Sequence, residues 1–307
     1  MTGFKTSSEW APREFLGEMP SNSDFEDFVK RREPFVTRTS QRESDKVTSL
    51  DSALGWTVQQ WSDKNYIRNK VGEENVLIEK LFKDGIGHPK FGFSSGVYKR
   101  KIPFASFMDS NFGNSGVSGE FLNLQEGYFR DGKWNSPLHK LKSDVPVPLC
   151  LKSREDNLTS VNLWMSNVPE GQYNLNIEIR CEITFTICFH CPGSTHTTRL
   201  HMDPMDSLYV VVAGQKTFTL YSPDKTPNLE TLSPTYGVSP DGFSFQYNSP
   251  ANLPSLDNRQ VQGHELGKGH YHYSSKSASD LQDGIVVELS AGDVLFVPAG
   301  WYHEVSF

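Results

Sequence analysis

Beyond Val161 the chain is written in short, strand-sized runs. VNLWMS, EITFTICFH, RLHMD, SLYVVVAG, KTFTLYS, IVVELS and DVLFVPAG are β-branched or aromatic, and Gly, Pro, Ser and Asp separate them. Many short strands at close spacing bury their apolar faces against one another as a sandwich or a barrel. One stretch breaks the cadence. Residues 223–284 are mostly polar and longer than an ordinary connection, which predicts a functional lid or a disordered insert. No internal repeat is present.

The first half mixes both kinds of secondary structure. Ser23-Asp24 ahead of FEDFVKRR places acids early and bases late, the charge order that favours a capped helix, and Glu33-Pro34 stops it. PFVTR, ENVLIEKLF and FLNL are strand candidates. Ser62-Asp63 caps KNYIRNKVG, and IPFASFMDSNF is a helix entered through proline. DVPVPLCL holds too much proline for a central strand. The resulting division is a flexible tail over 1–23, an α/β region over 24–160 that supports the barrel, and a mainly β core over 161–307 that contains the 223–284 insert.

Composition narrows the function classes. In 307 residues, 37 acidic against 30 basic side chains give a net charge of −7. A broad nucleic-acid surface wants the opposite sign, so a nucleic-acid partner is disfavoured. Lys99-Arg100-Lys101 is short and reads as a solvated face. The four cysteines, Cys150, Cys181, Cys188 and Cys191, do not form the dense array of a secreted disulfide scaffold. MTGFKTSSEWAPREF lacks the apolar core of a signal peptide, and no apolar run approaches the roughly 20 residues that span a bilayer. These features predict a soluble protein of a reducing compartment, cytoplasmic or nuclear.

The chemistry begins at His201-Met202-Asp203. Residues i and i+2 of a strand share a face, so this pair can bind one metal from one wall of a barrel. Alone it is weak, and a structural His–Asp pair is the better reading. His303 lies at the end of the apolar run VLFVPAGWYHEV, where an embedded imidazole needs a polar partner. Two His and one Asp on one side of an ion leave the opposite side open, as in non-haem iron(II) oxygenases. Zinc hydrolases use similar sets, so the triad does not choose its metal. Lys216, in AGQKTFTLY, follows the hairpin turn Gly214-Gln215. It is either exposed beside the turn or inside the barrel, where a buried ammonium needs an anion. Inside, it could hold the remote carboxylate of a 2-oxo diacid, with the Thr198 hydroxyl beside it.

Taken together these motifs carry a resemblance. T-x-x-H-x-D, a lysine fifteen residues after that histidine in a G-x-K strand, and A-G-D-V-L-F-x-P-A-x-W-x-H are similar to the Jumonji-C hydroxylase family of cupin-like dioxygenases. The likeness is strong over 195–223 and 285–305, and weaker over 161–166 and back to about residue 25. It implies a double-stranded β-helix (jelly roll), with Fe(II) at His201, Asp203 and His303. It implies 2-oxoglutarate chelating that iron, its far carboxylate meeting Lys216 and Thr198, and O2 as the other co-substrate. Ser207 stands where members often carry an asparagine. An upstream tyrosine that binds the co-substrate has its nearest match at Asn123, with Tyr128 a few residues on.

Two departures stand out. Residues 172–193 look inserted. Relatives also continue past the distal histidine with another core strand and helices that often dimerise. The resemblance therefore implies a missing C-terminal core strand, an unpaired barrel edge, and a homodimer only if such a region exists. Within the family the layout resembles the small protein hydroxylases, in particular the lysyl-hydroxylase branch acting on GTP-binding proteins. A tRNA-modifying hydroxylase comes second.

Other signals are weaker. Trp301, Tyr302 and Phe218 either wall a pocket or pack the core. Cys188-x-x-Cys191 with His190 and His196 is too crowded for a zinc site. His264, His270 and His272 read as loop histidines, and Asn157-Leu158-Thr159 is a bare sequon. A catalytically silent cupin-like binding module, and a zinc or manganese cupin enzyme, remain the alternatives. Retention of the triad argues against the first, and the Lys216–Thr198 pair against the second.

Overall fold

The computed structural model describes residues 11–38, 53–81, 90–91, 97–112, 120–127, 137–167, 173–181, 183–186, 197–198, 200–203, 205–223, 231–238, 244–250, 272–274 and 284–306. Among them β1 (Arg13–Leu16), helix α1 (Asn22–Arg31) and β2 (Phe35–Arg38) come first. Helix α2 (Lys64–Val71), β3 (Asn75–Leu81), β4 (Lys90–Phe91), β5 (Val97–Pro103), helix α3 (Phe104–Phe112) and β6 (Glu120–Gly127) follow. The second half runs β7 (Leu158–Asn167), β8 (Tyr173–Cys181), β9 (Ile183–Thr186), β10 (Thr197–Thr198), β11 (His201–Met202), β12 (Asp206–Ala213) and β13 (Gln215–Tyr221). The polar stretch contributes β14 (Thr231–Val238), β15 (Ser244–Pro250) and β16 (His272–Ser274). After it come β17 (Ile285–Ser290), β18 (Val294–Val297) and β19 (Tyr302–Ser306).

The helices obey their local chemistry. In α1 the cap is Ser21, two residues before the expected position, and its Oγ accepts from the Asp24 amide at 3.2 Å. Asp24 sits in the first turn and Lys30 and Arg31 in the last, each matching the helix dipole. Phe25, Phe28 and Val29 form the buried stripe. Asp63 caps α2 by accepting from the Asn65 amide, and Pro103 immediately precedes α3. Of the stretch expected to be a flexible tail, residues 1–10 lie outside the described residues, and Arg13–Leu16 form a strand. β1 pairs in parallel with β2, and Phe15 packs edge-on against Phe28 and Phe35 at 5.8 and 5.7 Å. One well-placed aromatic is enough to anchor a segment that composition alone makes polar.

Two sheets result. The first has the order β1-β2-β18-β12-β8-β7-β6-β3-β5, with only the β1–β2 pair parallel. The second has the order β17-β13-β19-β11-β16-β14-β15, all antiparallel. β15 also pairs with β5, joining the sheets along one edge. The 223–284 stretch is thus woven into the β structure through β14, β15 and β16.

Residues 172–193, which look like an insertion in sequence, supply β8. It lies between β7 and β12, antiparallel to both. Its sequence explains why: Leu175, Ile177 and Ile179 recur at every second residue, the period of a strand. Register sets Ile179 beside Leu208, and Ile177 beside Val210 and Leu163. The slot between β7 and β12 is therefore filled.

The first sheet separates two cores. Leu208, Val210 and Val212 of β12 pack with the helices, against side chains such as Phe25, Trp61 and Phe104. Tyr209 and Val211 face the second sheet and meet Phe218, Leu220 and Val287. The helical layer is pinned by buried Asp144, which accepts from Trp61 Nε1 at 2.8 Å and the Tyr66 hydroxyl at 3.1 Å and pairs with Lys70. The architecture is a cupin-like jelly roll, mainly β, with the helices on one face.

Candidate metal centre

The strand that carries His201 is two residues long, and its register sets the site. β11 lies antiparallel to β19, with His201 opposite His303 and Met202 opposite Tyr302. Side chains alternate along a strand, so the two imidazoles share the inter-sheet face and Met202 and Tyr302 the other. The rings stand 4.2 Å apart, centroid to centroid. Asp203 follows at once, and its Oδ2 lies 3.9 Å from His303 Nε2. Ligand-capable atoms of all three lie within 4.8 Å of one another. His201, Asp203 and His303 are 9%, 3% and 1% exposed.

Hydrogen bonding orients the distal imidazole. His303 Nδ1 lies 3.2 Å from the Trp301 carbonyl. A carbonyl only accepts, so Nδ1 carries the proton and Nε2 presents a lone pair. The Tyr209 hydroxyl, 3.2 Å from Nε2, donates to it. Gly300, at φ 88°, adopts a turn conformation that suits glycine, and its amide donates to the Asp203 carbonyl at 3.0 Å. The turn before His303 is thereby tied to the segment that bears Asp203.

The donor set fits a metal ion. A carboxylate and two imidazoles withdrawn from water are costly unless a cation compensates. Two donors about 2.1 Å from one ion stand roughly 3–4 Å apart. The 3.9 Å Asp203–His303 separation falls in that range and exceeds a hydrogen bond. Two nitrogens and one carboxylate oxygen suit a divalent transition metal held from one side.

The sequence left Lys216 between two positions, and the structure places it inside. β13 buries Lys216, Phe218 and Leu220 and exposes Gln215. Gly214, at φ 87°, makes the preceding turn. Lys216 is 3% exposed, with Nζ 5.2 Å from the Phe218 ring centroid and 5.8 Å from that of Tyr209. The same two rings lie 6.4 and 6.0 Å from the His303 ring. The cation and the metal-capable group therefore share aromatic neighbours in one interior.

The remaining expectations sort out as follows. Ser207 is buried on β12, two residues before Tyr209, and its Oγ has no hydrogen-bond partner among the described residues. Thr198 lies on β10, with Phe91 of β4 as its neighbour. Asn123 lies on β6 opposite Trp164. Tyr128 falls outside the described residues, as do Cys188, Cys191, His190, His196, His264 and His270. His272 stands beside Met202 and Tyr273 beside His201, so the polar stretch borders the site through β16. Phe218 and Trp301 belong to the inter-sheet core, whereas Tyr302 packs on the other face with Tyr221 and Leu200. Sequence reasoning missed Tyr209. Its signal was the two-residue period from Ser207.

A two-sheet jelly roll with a histidine on one strand, an aspartate just past its end and a second histidine opposite on the next strand defines a cupin-type metal-site scaffold. The chain belongs to the Cupin-like domain family, whose profile matches residues 21–307. It is similar to the "Lysine-specific demethylase JMJ31" of Arabidopsis thaliana, 26% identical over 190 residues, covering 61% of this chain and 26% of that protein. It also resembles the "tRNA wybutosine-synthesizing protein 4" of Gibberella zeae, 23% identical over 94% of this chain and 22% of that protein. A third relative is the "JmjC domain-containing protein 4" of Schizosaccharomyces pombe, 21% identical over 74% of this chain and 42% of that protein. The chain thus spans less than half the length of each of these relatives. Among the described residues no helix is long and apolar enough to cross a membrane.

Proposed function

We propose that the chain is an iron(II)- and 2-oxoglutarate-dependent dioxygenase that hydroxylates a protein side chain, lysine being the leading candidate. The observation that carries this reading is the pairing, in one barrel interior, of a buried His–Asp–His group with a buried lysine. A metal site alone fits many enzymes; a buried cation beside it suits a co-substrate with two carboxylates. His201, Asp203 and His303 would hold the iron, and Lys216, with Thr198, the far carboxylate of 2-oxoglutarate. Ser207 offers a buried hydroxyl to the same ligand, and Asn123 and Tyr128 are the upstream candidates. Bound iron and 2-oxoglutarate supply the activation of O2 and the oxidation of a C–H bond. The chain's own part is orientation and exclusion of water. Trp301 fixes the protonated nitrogen of His303 through its carbonyl, and Phe218 and Tyr209 keep the surroundings of Lys216 apolar.

The relative named for a lysine-specific demethylase supports a protein substrate. The relative named for wybutosine synthesis aligns with 94% of this chain and favours a second reading, a tRNA-modifying hydroxylase. The net charge of −7 weighs against it, because a polyanion is gripped by basic surface. Cytoplasm and nucleus both suit either substrate.

The test is anaerobic titration of the purified protein with iron(II) and 2-oxoglutarate, following the visible charge-transfer band. A band that disappears in His201→Ala and Lys216→Ala is expected. Folded protein with no band would sink the oxygenase reading and leave the binding module.

A further inference from the structure

We infer that Arg32 is a positioning residue for the His201–Asp203–His303 group, acting through Asp206 and the turn at 298–301. The inference deepens the metal-site reading and rests on it. Three consecutive residues of that turn each donate a hydrogen bond to a different anchor. The Ala299 amide donates to Asp206 Oδ1 at 2.7 Å. The Gly300 amide donates to the Asp203 carbonyl at 3.0 Å. Trp301 Nε1 donates to the Arg32 carbonyl at 2.9 Å. The Trp301 carbonyl in turn accepts from His303 Nδ1. The orientation of the distal imidazole therefore depends on a segment suspended from Asp203, Asp206 and Arg32.

Arg32 closes this arrangement from the surface. Its Nη1 donates to Asp206 Oδ1 at 2.8 Å, reaching from a side chain 39% exposed to one 7% exposed. Asp206 is the only charged acceptor for Ala299 in these contacts, and burial pushes its carboxyl above the usual carboxylate range, opposed by the Ala299 amide, Arg32 and Arg154. Without the guanidinium, a buried carboxylate loses its direct charge partner and the turn loses a fixed acceptor. The backbone makes the choice of residue informative. Arg32 caps α1 in the left-handed region, φ 56° and ψ 40°, and is the one non-glycine residue with positive φ among those described. Glycine or asparagine sits there more easily. An arginine in that conformation is explained by what its side chain reaches.

The same position gives a clean test. Arg32→Gly keeps the backbone acceptor for Trp301 and suits the left-handed cap, while removing the guanidinium. Glycine in the left-handed cap offsets part of the lost ion pair, so the expected melting temperature lies within a few degrees of wild type. In metal-free protein, amide exchange at Ala299 and Gly300 should be about tenfold faster, with the rest of the first sheet unaltered. Affinity for Co(II), read from its visible ligand-field absorption, should fall about tenfold or more, and Arg32→Lys should recover most of it. Wild-type exchange and wild-type Co(II) affinity in Arg32→Gly would overturn the inference. So would faster exchange spread across the whole sheet with a lowered melting temperature, since that marks a merely structural role. If Arg32→Gly does not fold, Asp206→Asn carries the same readouts and the same outcomes. A His201→Ala control separates the two readings. If Co(II) binding is absent, or is insensitive to that change, the metal reading fails, and exchange at the turn still decides whether Arg32 tethers it.

Discussion

Strand β12 shows Leu208, Val210 and Val212 to the helices and Ser207, Tyr209 and Val211 to the second sheet. β2 and β18 divide in the same way, Phe35, Val294 and Phe296 joining the helix-side core and Val36, Leu295 and Val297 the other. The helix-facing side of the first sheet holds an apolar core joined by aromatic pairs, such as Phe25 against Phe296 at 5.1 Å and Phe28 against Phe35 at 4.9 Å. The space on its other side, between the sheets, holds Ser207, Lys216, His201 and His303 among apolar neighbours. Burying polar and charged groups costs stability unless something compensates. One face therefore holds the fold together, and the other spends part of that stability to keep polar, metal-capable side chains dry.

The contrast can be broken from either side. The largest effect is expected at Phe35, fully buried between helices and sheet. Phe35→Ala should lower the unfolding free energy by about 3–5 kcal/mol, measured by urea denaturation, while the folded fraction retains Co(II) absorption. Lys216→Met should do the reverse. Replacing a buried charge by apolar volume is neutral or stabilising, by up to about 4 kcal/mol, yet the charge-transfer band with 2-oxoglutarate should vanish; a large loss of stability would show instead that Lys216 is structural. Tyr209→Phe removes the hydroxyl that donates to His303 Nε2. A net hydrogen bond of about 1 kcal/mol then no longer competes with a metal, so Co(II) affinity should rise roughly fivefold; weaker binding would mean that the phenol supports the site. The smallest effect concerns Glu26, whose carboxyl the hydrogen bonds from Arg154 hold below the ordinary 4.5. A depressed carboxylate stabilises the fold above pH 4.5 and loses that contribution as pH falls through the folded value. Glu26→Gln should differ from wild type by under about 1 kcal/mol at neutral pH, and the two stability curves should converge in acid.

How far the sequence reveals this molecule depends on the range over which its signals act. Period-two runs such as IVVELS and SLYVVVAG declare themselves locally and stand in the structure as β17 and β12. The helix caps were readable to within two residues. His201, Asp203 and His303 were legible because two short motifs bracket them, although only register brings the two histidines opposite each other. Lys216 was ambiguous because the first residues after a turn carry no face label; burial of Phe218 and Leu220 on alternate positions resolves it. The placement of β8 is not legible for a different reason. Its strand pattern is plain, but its place between β7 and β12 is a property of partners far along the chain. Arg32 and Asp206 were invisible, since a helix cap and the first residue of a strand meet only once the fold is complete.

The pairing of β11 with β19 also has a kinetic side. His201 and His303 are opposite residues of one ladder, yet the whole of 202–302 separates them along the chain. Bringing such distant residues together carries a loop-closure cost that is met before the contact returns any stability. A nascent chain still lacking its β19 segment can present only two of the three metal-capable residues, His201 and Asp203, so any loading would follow synthesis of that strand rather than accompany it. Any ion that needs both imidazoles would also bind the native chain and not the unfolded one, so its concentration would add to the stability of the finished protein.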